Sequence, residues 1–283
     1  MIGTFARMTG SDGYERPGLA GSGVIACGLA ACATRAGEVK LLARSDASAW
    51  QAEERAQEAA GKVEGGAGSR IKVTTNQADL ADCDLVVEAI VEELDAKVEL
   101  LTDLGETCPD ADLATTTSSL SVATLGERSG RTERVVGLHV FNPVDRMELV
   151  EVCVPETVRE GVTERIHSWC RALGKTPIDV PDQSGFVVNR LLFPYLFDAV
   201  RLMEQSGIDP GDVDACMQMG AGHPMGPLRL LDLVGLDVAA SIGDSLHAES
   251  DDPAHTVPET IRSLVAKGRL GRKTGGGFYD YEA

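Results

Sequence analysis

Basic residues are scarce in this sequence: 26 lysines and arginines stand against 44 aspartates and glutamates, for a formal net charge of -18. Nucleic acids and anionic membrane surfaces select for basic faces, so this charge argues against both kinds of partner. No apolar run reaches the length of a transmembrane helix, and the N-terminus has no cationic start followed by an apolar block. We therefore expect a cytoplasmic protein whose residues 1–15 form an extension.

The sequence also lacks the pattern of a disulfide framework and that of a metal site. Its seven cysteines are odd in number, none forms a C-x-x-C pair, and most lie in apolar runs. The five histidines are scattered, and none stands at ligand spacing from a cysteine or an aspartate. A reduced protein with no metal site is the simplest expectation.

Strand character is missing from the last third of the chain. Before residue 182, short apolar runs alternate with helical stretches, which is typical of a parallel α/β sheet. After Pro181-Asp182-Gln183 only helical patterns follow, the main ones over residues 186–204, 210–218, 228–249 and 256–267. We predict two domains, an α/β domain over residues 1–182 and an all-α C-terminal domain over residues 183–283.

A glycine-rich turn near the start of the α/β half fits G-x-G-x-x-A. Gly21 permits a tight turn, Gly23 lets the backbone approach a pyrophosphate, and the small Ala26 lets the helix pack on the sheet. We therefore predict a Rossmann-type nucleotide-binding domain. Because Pro17 lies in the first strand, we expect that strand to be short or to begin at Gly18.

The residue that would contact the adenine ribose departs from the usual pattern. An enzyme that uses NAD places Asp or Glu at the end of the second strand, whereas this chain has Arg44 there. An arginine beside the hydroxyl of Ser45 suits a 2′-phosphate. Alternatively, Arg44 is a solvated strand-end residue and Asp46 serves the ribose. NAD and NADP both stay open.

A histidine and a carboxylate stand on two successive apolar strands. His139 lies in an apolar run, and Glu151 follows twelve residues later in the next one. A carboxylate that fixes the imidazole tautomer and stabilises the imidazolium makes histidine a general base. A single buried histidine is more often a satisfied core residue, and Glu151 could be a surface carboxylate.

Two further segments give this pair its context: Thr117-Ser118-Ser119-Leu120 upstream and residues 184–190 downstream. The ordered set resembles the 3-hydroxyacyl-CoA dehydrogenase family, which includes the 3-hydroxybutyryl-CoA dehydrogenases. The resemblance implies an oxidoreductase of fatty acid metabolism that interconverts 3-hydroxyacyl and 3-oxoacyl thioesters with a nicotinamide cofactor. It also implies a homodimer formed through the helical domain.

The resemblance assigns roles to individual side chains. His139 would be the general base, or the acid in the reverse direction, and Glu151 would orient it. Ser118 would hydrogen-bond the substrate oxygen, and Asn189 would donate to the carbonyl region of the substrate. Asn142 would position the surroundings of His139 or the nicotinamide amide. The site should lie in the cleft between the domains, at the carboxyl ends of the strands.

Two more residues match cofactor positions of the family: Glu92 and Lys97 would contact the nicotinamide ribose and neighbouring groups. Each assignment has a structural alternative. Lys97 could be a solvated helix charge, Ser118 could be a helix N-cap, and Asn189 could cap or cross-link helices. His223 and the C-terminal residues 271–279 are interpreted as structural.

Two departures leave other functions open. Thr116 stands where the family usually has Asn, which allows a non-catalytic homologue. The segment over residues 45–69, which in the family carries a helical hairpin that meets the phosphates of CoA, is shortened and poor in cations. A carrier-protein thioester or an unusual acyl group is therefore a second candidate substrate.

Overall fold

The computed structural model describes residues 13–282 of the chain. It divides into two compact units, the first ending at Asp182 and the second beginning at Gln183. No helix within the described residues is long and apolar enough to cross a membrane.

The first unit is built on one sheet of eight strands in the order β3-β2-β1-β4-β5-β6-β7-β8. Strands β1 to β6 are parallel, β7 runs antiparallel to β6, and β8 is parallel to β7. The strands are β1 (Pro17–Ala20), β2 (Val39–Leu42), β3 (Ile71–Thr74), β4 (Leu85–Glu88), β5 (Asp112–Thr115), β6 (Val135–Val140), β7 (Leu149–Cys153) and β8 (Thr176–Asp179).

Five helices connect these strands: α1 (Val24–Ala33), α2 (Asp46–Ala60), α3 (Leu94–Thr107), α4 (Val122–Arg128) and α5 (Val162–Ala172). The strand order is that of a doubly wound nucleotide-binding sheet extended by β7 and β8. The predicted Rossmann-type domain is confirmed.

Strand β1 lies at the centre of the sheet, between β2 and β4, and its four residues are buried. It is short, as predicted, but it begins at Pro17 and not at Gly18. Proline is tolerated there because it is the first residue of the strand.

The ends of β1 and β4 approach each other closely. Gly21 has a φ of 146°, and a Cβ atom built on it would lie 2.3 Å from the carbonyl oxygen of Ala89. Any larger residue would push these chain ends apart. The direction of winding reverses between β1 and β4, and such a switch point is where a doubly wound sheet binds its ligand.

The folded chain begins before residue 16. Tyr14 is buried, its hydroxyl donates to Asp112 at 2.7 Å, and the guanidinium of Arg165 lies over its ring. The backbone N–H of Glu15 donates to Asp84. Residues 1–12 of the predicted extension lie outside the described residues. For Tyr14 and Glu15 the prediction is wrong, because a buried hydrogen bond attaches the segment to the sheet.

The second unit consists of helices α6 (Val188–Ser206), α7 (Pro210–Ala221), α8 (Pro227–Val234), α9 (Leu236–Ser250) and α10 (Glu259–Ala266). Apart from isolated bridges at Gly276, its described residues contain no β-structure. The predicted all-α C-terminal domain is thus confirmed. Its core includes Phe193 and Phe197 of α6, which pack with Leu231 of α8 and Leu246 of α9.

Three predicted helices of this unit have different bounds. The first begins at Val188 and not at residue 186, because Gly185 and Phe186 have positive φ angles. The predicted helix over residues 228–249 is two helices, broken at Gly235 with φ 104°. The last begins at Glu259, because Pro258 disfavours helix at the residue before it.

Side chains of α8 hold the C-terminal segment. The carboxylate of Asp232 accepts hydrogen bonds from the backbone N–H groups of Phe278 and Tyr279 and from the hydroxyl of Tyr281. His223 makes a hydrogen bond with Tyr195 at 3.2 Å. These contacts agree with a structural interpretation of both regions.

We expect Tyr14→Phe to lower the free energy of unfolding by about 1–3 kcal/mol, because it removes a buried hydrogen bond to a carboxylate. Tyr14→Leu, which also removes the ring beneath Arg165, should cost more. Urea denaturation of the two variants measures both effects. Unfolding midpoints equal to that of the wild type would show that this segment does not stabilise the sheet.

Candidate active site

His139 and Glu151 face each other across two antiparallel strands. They form a directly registered pair between β6 and β7. The Nδ1 atom of His139 lies 2.6 Å from an oxygen of Glu151, and the two side chains are 7% and 2% exposed. Glu151 is therefore not an ordinary surface carboxylate. The ring of Phe141 covers His139, with 4.5 Å between ring centroids.

This pairing sets the tautomer of the imidazole. A carboxylate can only accept, so Nδ1 carries the proton that is donated to Glu151. A neutral imidazole of this tautomer has its lone pair on Nε2, the nitrogen that would take a proton from a substrate. A positive charge on the ring would be stabilised by the carboxylate at 2.6 Å.

Glu92 lies after β4, and one of its carboxylate oxygens accepts hydrogen bonds from several residues of the loop after β5. Its Oε1 atom accepts from the hydroxyl of Thr117 at 2.7 Å and from the N–H groups of Ser118 and Ser119 at 2.8 and 2.9 Å. The hydroxyls of Ser119 and Ser118 follow at 3.0 and 3.2 Å. Two residues predicted for different tasks, Glu92 and Ser118, thus belong to one hydrogen-bond network.

The surroundings of Glu92 lower the pKa of its carboxyl group. Burial raises the pKa of its carboxyl, but the charge of Lys97 and the hydrogen bonds from Thr117, Ser118 and Ser119 outweigh burial. The net result is a pKa below the ordinary value for glutamate. Glu92 is therefore an anion at neutral pH.

The interpretation of Ser118 as a helix cap is wrong. The following helix, α4, begins at Val122, and its cap is Ser121, whose side chain accepts from the N–H of Thr124. Asp182 also accepts hydrogen bonds from Val122 and Ala123 at this helix end.

Lys97 is not a solvated helix charge, because its side chain is 1% exposed. It donates to Glu88 at 2.7 Å and lies 3.5 Å from Glu92. Glu88 itself is fully buried and also accepts from the N–H of Ile90 and the hydroxyl of Thr115. Sequence reasoning missed Glu88 and Thr115. An acid directly after the apolar run of β4 was the available signal.

The glycine-rich turn fits a bound dinucleotide. Apart from Gly23 and its chain neighbours, no atom of residues 13–282 lies within 4 Å of a Cβ atom built on Gly23, which leaves its backbone open to a ligand. Helix α1 begins directly after it, with no side-chain cap and no acid in its first turn. The N–H groups of such a helix end can bind a pyrophosphate. Ala26 is fully buried, which agrees with close helix packing.

At the ribose position both alternatives remain. Arg44 is exposed, and among residues 13–282 it forms no ion pair. Asp46, also exposed, accepts a hydrogen bond from Thr75 at 3.3 Å. Ser45 caps α2 and accepts from the N–H of Ser48.

Two asparagines and one threonine complete the predicted set. Asn142 is exposed and stands two residues after the end of β6. Asn189 is buried in the first turn of α6 and is not its cap. Thr116 is half-buried, and its N–H donates to the carbonyl of Glu88. The first unit thus brings together His139 with Glu151, and Ser118 with Glu92 and Lys97.

Family models match almost the whole chain. Residues 18–183 match the model described as "3-hydroxyacyl-CoA dehydrogenase, NAD binding domain", and residues 185–281 match "3-hydroxyacyl-CoA dehydrogenase, C-terminal domain". Among curated proteins, a 3-hydroxybutyryl-CoA dehydrogenase of Mycobacterium tuberculosis is 38% identical over 96% of this chain and 100% of its own. One from Clostridioides difficile is 40% identical over 75% of this chain and 76% of its own.

Solved structures agree with this assignment. FadB2 of Mycobacterium tuberculosis superposes with a TM-score of 0.90 at 37% identity, over 96% of this chain and 100% of that one. The (S)-3-hydroxybutyryl-CoA dehydrogenase PaaH1 of Ralstonia eutropha gives 0.89 at 33% identity, over 95% and 100% of the two chains. The family expected from the sequence motifs is confirmed.

The lowered pKa of Glu92 predicts acid-dependent stability. The unfolded chain takes up this proton first as the pH falls, so the stabilisation is complete above the unfolded pKa of about 4.3. It is lost as the pH falls through the lower pKa of the folded state. The stability difference between wild type and Glu92→Gln should therefore be constant from pH 7 to about pH 5 and shrink below about pH 4.3.

Urea denaturation at several pH values measures this difference. Glu93→Gln removes the same charge from the next residue, whose side chain makes no capping hydrogen bond, and controls for the change in net charge. A difference between wild type and Glu92→Gln that does not vary with pH would contradict the assignment.

Proposed function

Because the chain belongs to the 3-hydroxyacyl-CoA dehydrogenase family, we propose that it interconverts 3-hydroxyacyl and 3-oxoacyl thioesters, with His139 as general base and acid. The observation that carries this proposal is the buried pair of His139 and Glu151 at 2.6 Å. Such a pair holds one imidazole nitrogen ready for proton transfer. An isolated core histidine would need no registered carboxylate on the neighbouring strand.

The remaining residues of the set divide the other tasks. Gly21, Gly23 and Ala26 with the first turn of α1 would hold the pyrophosphate of a nicotinamide dinucleotide, which supplies the hydride acceptor for oxidation and the donor for reduction. Glu92 and Lys97 would contact its nicotinamide ribose. Asn142 would position the imidazole surroundings or the carboxamide.

In the oxidation direction, Nε2 of His139 takes the proton of the C3 hydroxyl while the hydride leaves C3. Glu151 keeps the ring oriented and stabilises its positive charge. Ser118 would hydrogen-bond the same substrate oxygen, and its backbone is fixed by Glu92. Asn189 would donate to the thioester carbonyl region. In the reverse direction His139 returns the proton to the oxygen.

Replacing either member of the pair tests the assignment. His139→Gln should lower kcat by about 10²–10⁴-fold, because the general base is lost. Glu151→Gln should also lower kcat strongly, because an amide can donate to Nδ1 and so stabilise the tautomer with its proton on Nε2. Single-turnover rates of thioester oxidation measure both, with cofactor affinity as the check on folding.

Glu148→Gln is the matched control, because Glu148 is an exposed carboxylate just before β7. It should keep the activity of the wild type. Full activity of His139→Gln would contradict the proposal and favour a structural role for the pair.

We propose that Arg44 admits the 2′-phosphate of NADP. Its exposed guanidinium stands at the end of β2, where an acid would repel that phosphate. Arg44→Ala should then lose about 10-fold or more in kcat/KM with NADPH and markedly less with NADH, as expected for a lost charged hydrogen bond. Equal losses with both cofactors, or a wild type that does not use NADPH, would contradict this role.

The substrate carrier is proposed to be CoA, with a carrier protein as the second candidate. The cations in and after α2 favour the second: Arg55 of α2 donates to the carbonyl of Ser22, and Lys62, two residues after the helix, is paired with Glu58. The exposed surface of α2 therefore offers few free cations for the phosphates of CoA. Higher kcat/KM with an acetoacetyl carrier protein than with acetoacetyl-CoA would support the carrier, and the reverse would reject it.

We also propose a cytoplasmic homodimer formed through the helical unit. Leu191 and Leu202 of α6 are 71% and 53% exposed. They stand eleven residues apart, about three turns, and so share one helix face. Met219 of α7 is 82% exposed as well. Sedimentation as a monomer at micromolar concentration would contradict the dimer.

A further inference from the structure

Three charged side chains form one buried cluster at the end of β4. Lys97 lies between two carboxylates, 2.7 Å from Glu88 and 3.5 Å from Glu92. Within the part of the chain that the structure describes, the carboxylate of Glu88 accepts hydrogen bonds from Lys97, the N–H of Ile90 and the hydroxyl of Thr115. This is the environment of an ionised carboxylate. Two anions and one cation leave one negative charge in excess.

The acids next to this cluster add little to the excess. Asp95, in the first turn of α3, is paired with Arg128 at 2.8 Å. Glu93 is exposed, so its charge is screened by solvent. The excess charge therefore belongs to the Glu88–Lys97–Glu92 cluster.

The position of this cluster in the sheet relates it to one end of a dinucleotide. Strands β1 to β3 and strands β4 to β6 form the two halves of a doubly wound sheet, and each half binds one mononucleotide. The glycine-rich turn lies after β1, so the nicotinamide half belongs to β4 and its neighbours. Glu92, one-third exposed, connects the buried charges to that surface.

We propose that the Glu88–Lys97–Glu92 cluster shifts cofactor binding toward the oxidised form, by strengthening its affinity relative to that of the reduced form. This inference rests on the proposed function. The nicotinamide ring is cationic when oxidised and neutral when reduced, so an anionic site attracts only the oxidised form directly. Glu88 would act without touching the cofactor, as the buried source of half of the negative charge.

The effect also bears on the direction of hydride transfer within the bound complex. When bound, the reduced cofactor would supply the hydride for C3 of the oxo group, while His139 gives its proton to the oxygen. That transfer would leave the nicotinamide ring cationic, so an anionic cluster would favour it over the reverse transfer. The overall equilibrium in solution is unchanged, since the affinities for the two cofactor forms compensate.

Dissociation constants of NAD⁺ and NADH, or of the phosphorylated pair if the wild type prefers it, test the proposal by titration calorimetry without substrate. Glu88→Gln should raise the dissociation constant of the oxidised form relative to that of the reduced form by on the order of tenfold, as expected for the loss of one charge near the ring in a partly screened site. The His139–Glu151 pair is present in the wild type and in Glu88→Gln, so its effect on the two dissociation constants cancels when the variants are compared.

Two further variants separate charge from structure. Glu92→Gln removes the second carboxylate at a more exposed position and should shift the ratio of dissociation constants in the same direction. Thr115→Val removes the hydroxyl that donates to Glu88 at 2.6 Å but no charge, and should leave that ratio unchanged.

The outcomes are distinct. An unchanged ratio in both carboxylate variants, or an equal weakening of both cofactor forms, would overturn the inference and leave the proposed function intact. If Glu88→Gln does not fold, the inference is decided by comparing the ratio of dissociation constants in Glu92→Gln with that in Thr115→Val. A folded wild type that binds neither cofactor form would overturn the proposed function, and the inference with it.

Discussion

The antiparallel pairing of β6 with β7 is the constraint on which the chemistry of this molecule depends. It sets His139 directly opposite Glu151 on one face of two buried strands. Because side chains alternate along a strand, a register shift of one residue would move Glu151 to the other face. The hydrogen-bonded register of β6 and β7 thus positions the pair.

A second buried interaction organises the neighbouring part of the sheet edge. Glu88 ends β4, and its contacts with Lys97 and Thr115 join the beginning of α3 to the end of β5. Glu92 then fixes the backbone of Ser118. Breaking a buried ion pair is costly, since it leaves an uncompensated charge in the interior. The loop that carries Ser118 is thus attached to this charge cluster through Glu92.

Sequence patterns predict those parts of the fold and the site that depend on neighbouring residues in the chain. The glycine-rich turn, the apolar strands and the His139–Glu151 spacing follow from local patterns, and their elements form as expected. The burial of Lys97 could not be predicted, because its partners Glu88 and Glu92 lie in β4 and the loop after it. The pattern of α3 alone does not distinguish Lys97 from a solvated lysine. Glu88 escaped notice for the same reason: an acid at the end of an apolar strand usually faces water. The break at Gly235 depends on tertiary contacts, since the N–H of Leu236 donates to the carbonyl of Leu270 in a distant segment.

The absorbance of NADH at 340 nm, followed with purified protein and acetoacetyl-CoA, tests the central claim most directly. The account predicts that absorbance falls in proportion to enzyme concentration and that 3-hydroxybutyryl-CoA forms in equal amount. Folded protein that binds NADH and yet leaves the absorbance unchanged in the presence of acetoacetyl-CoA would contradict it.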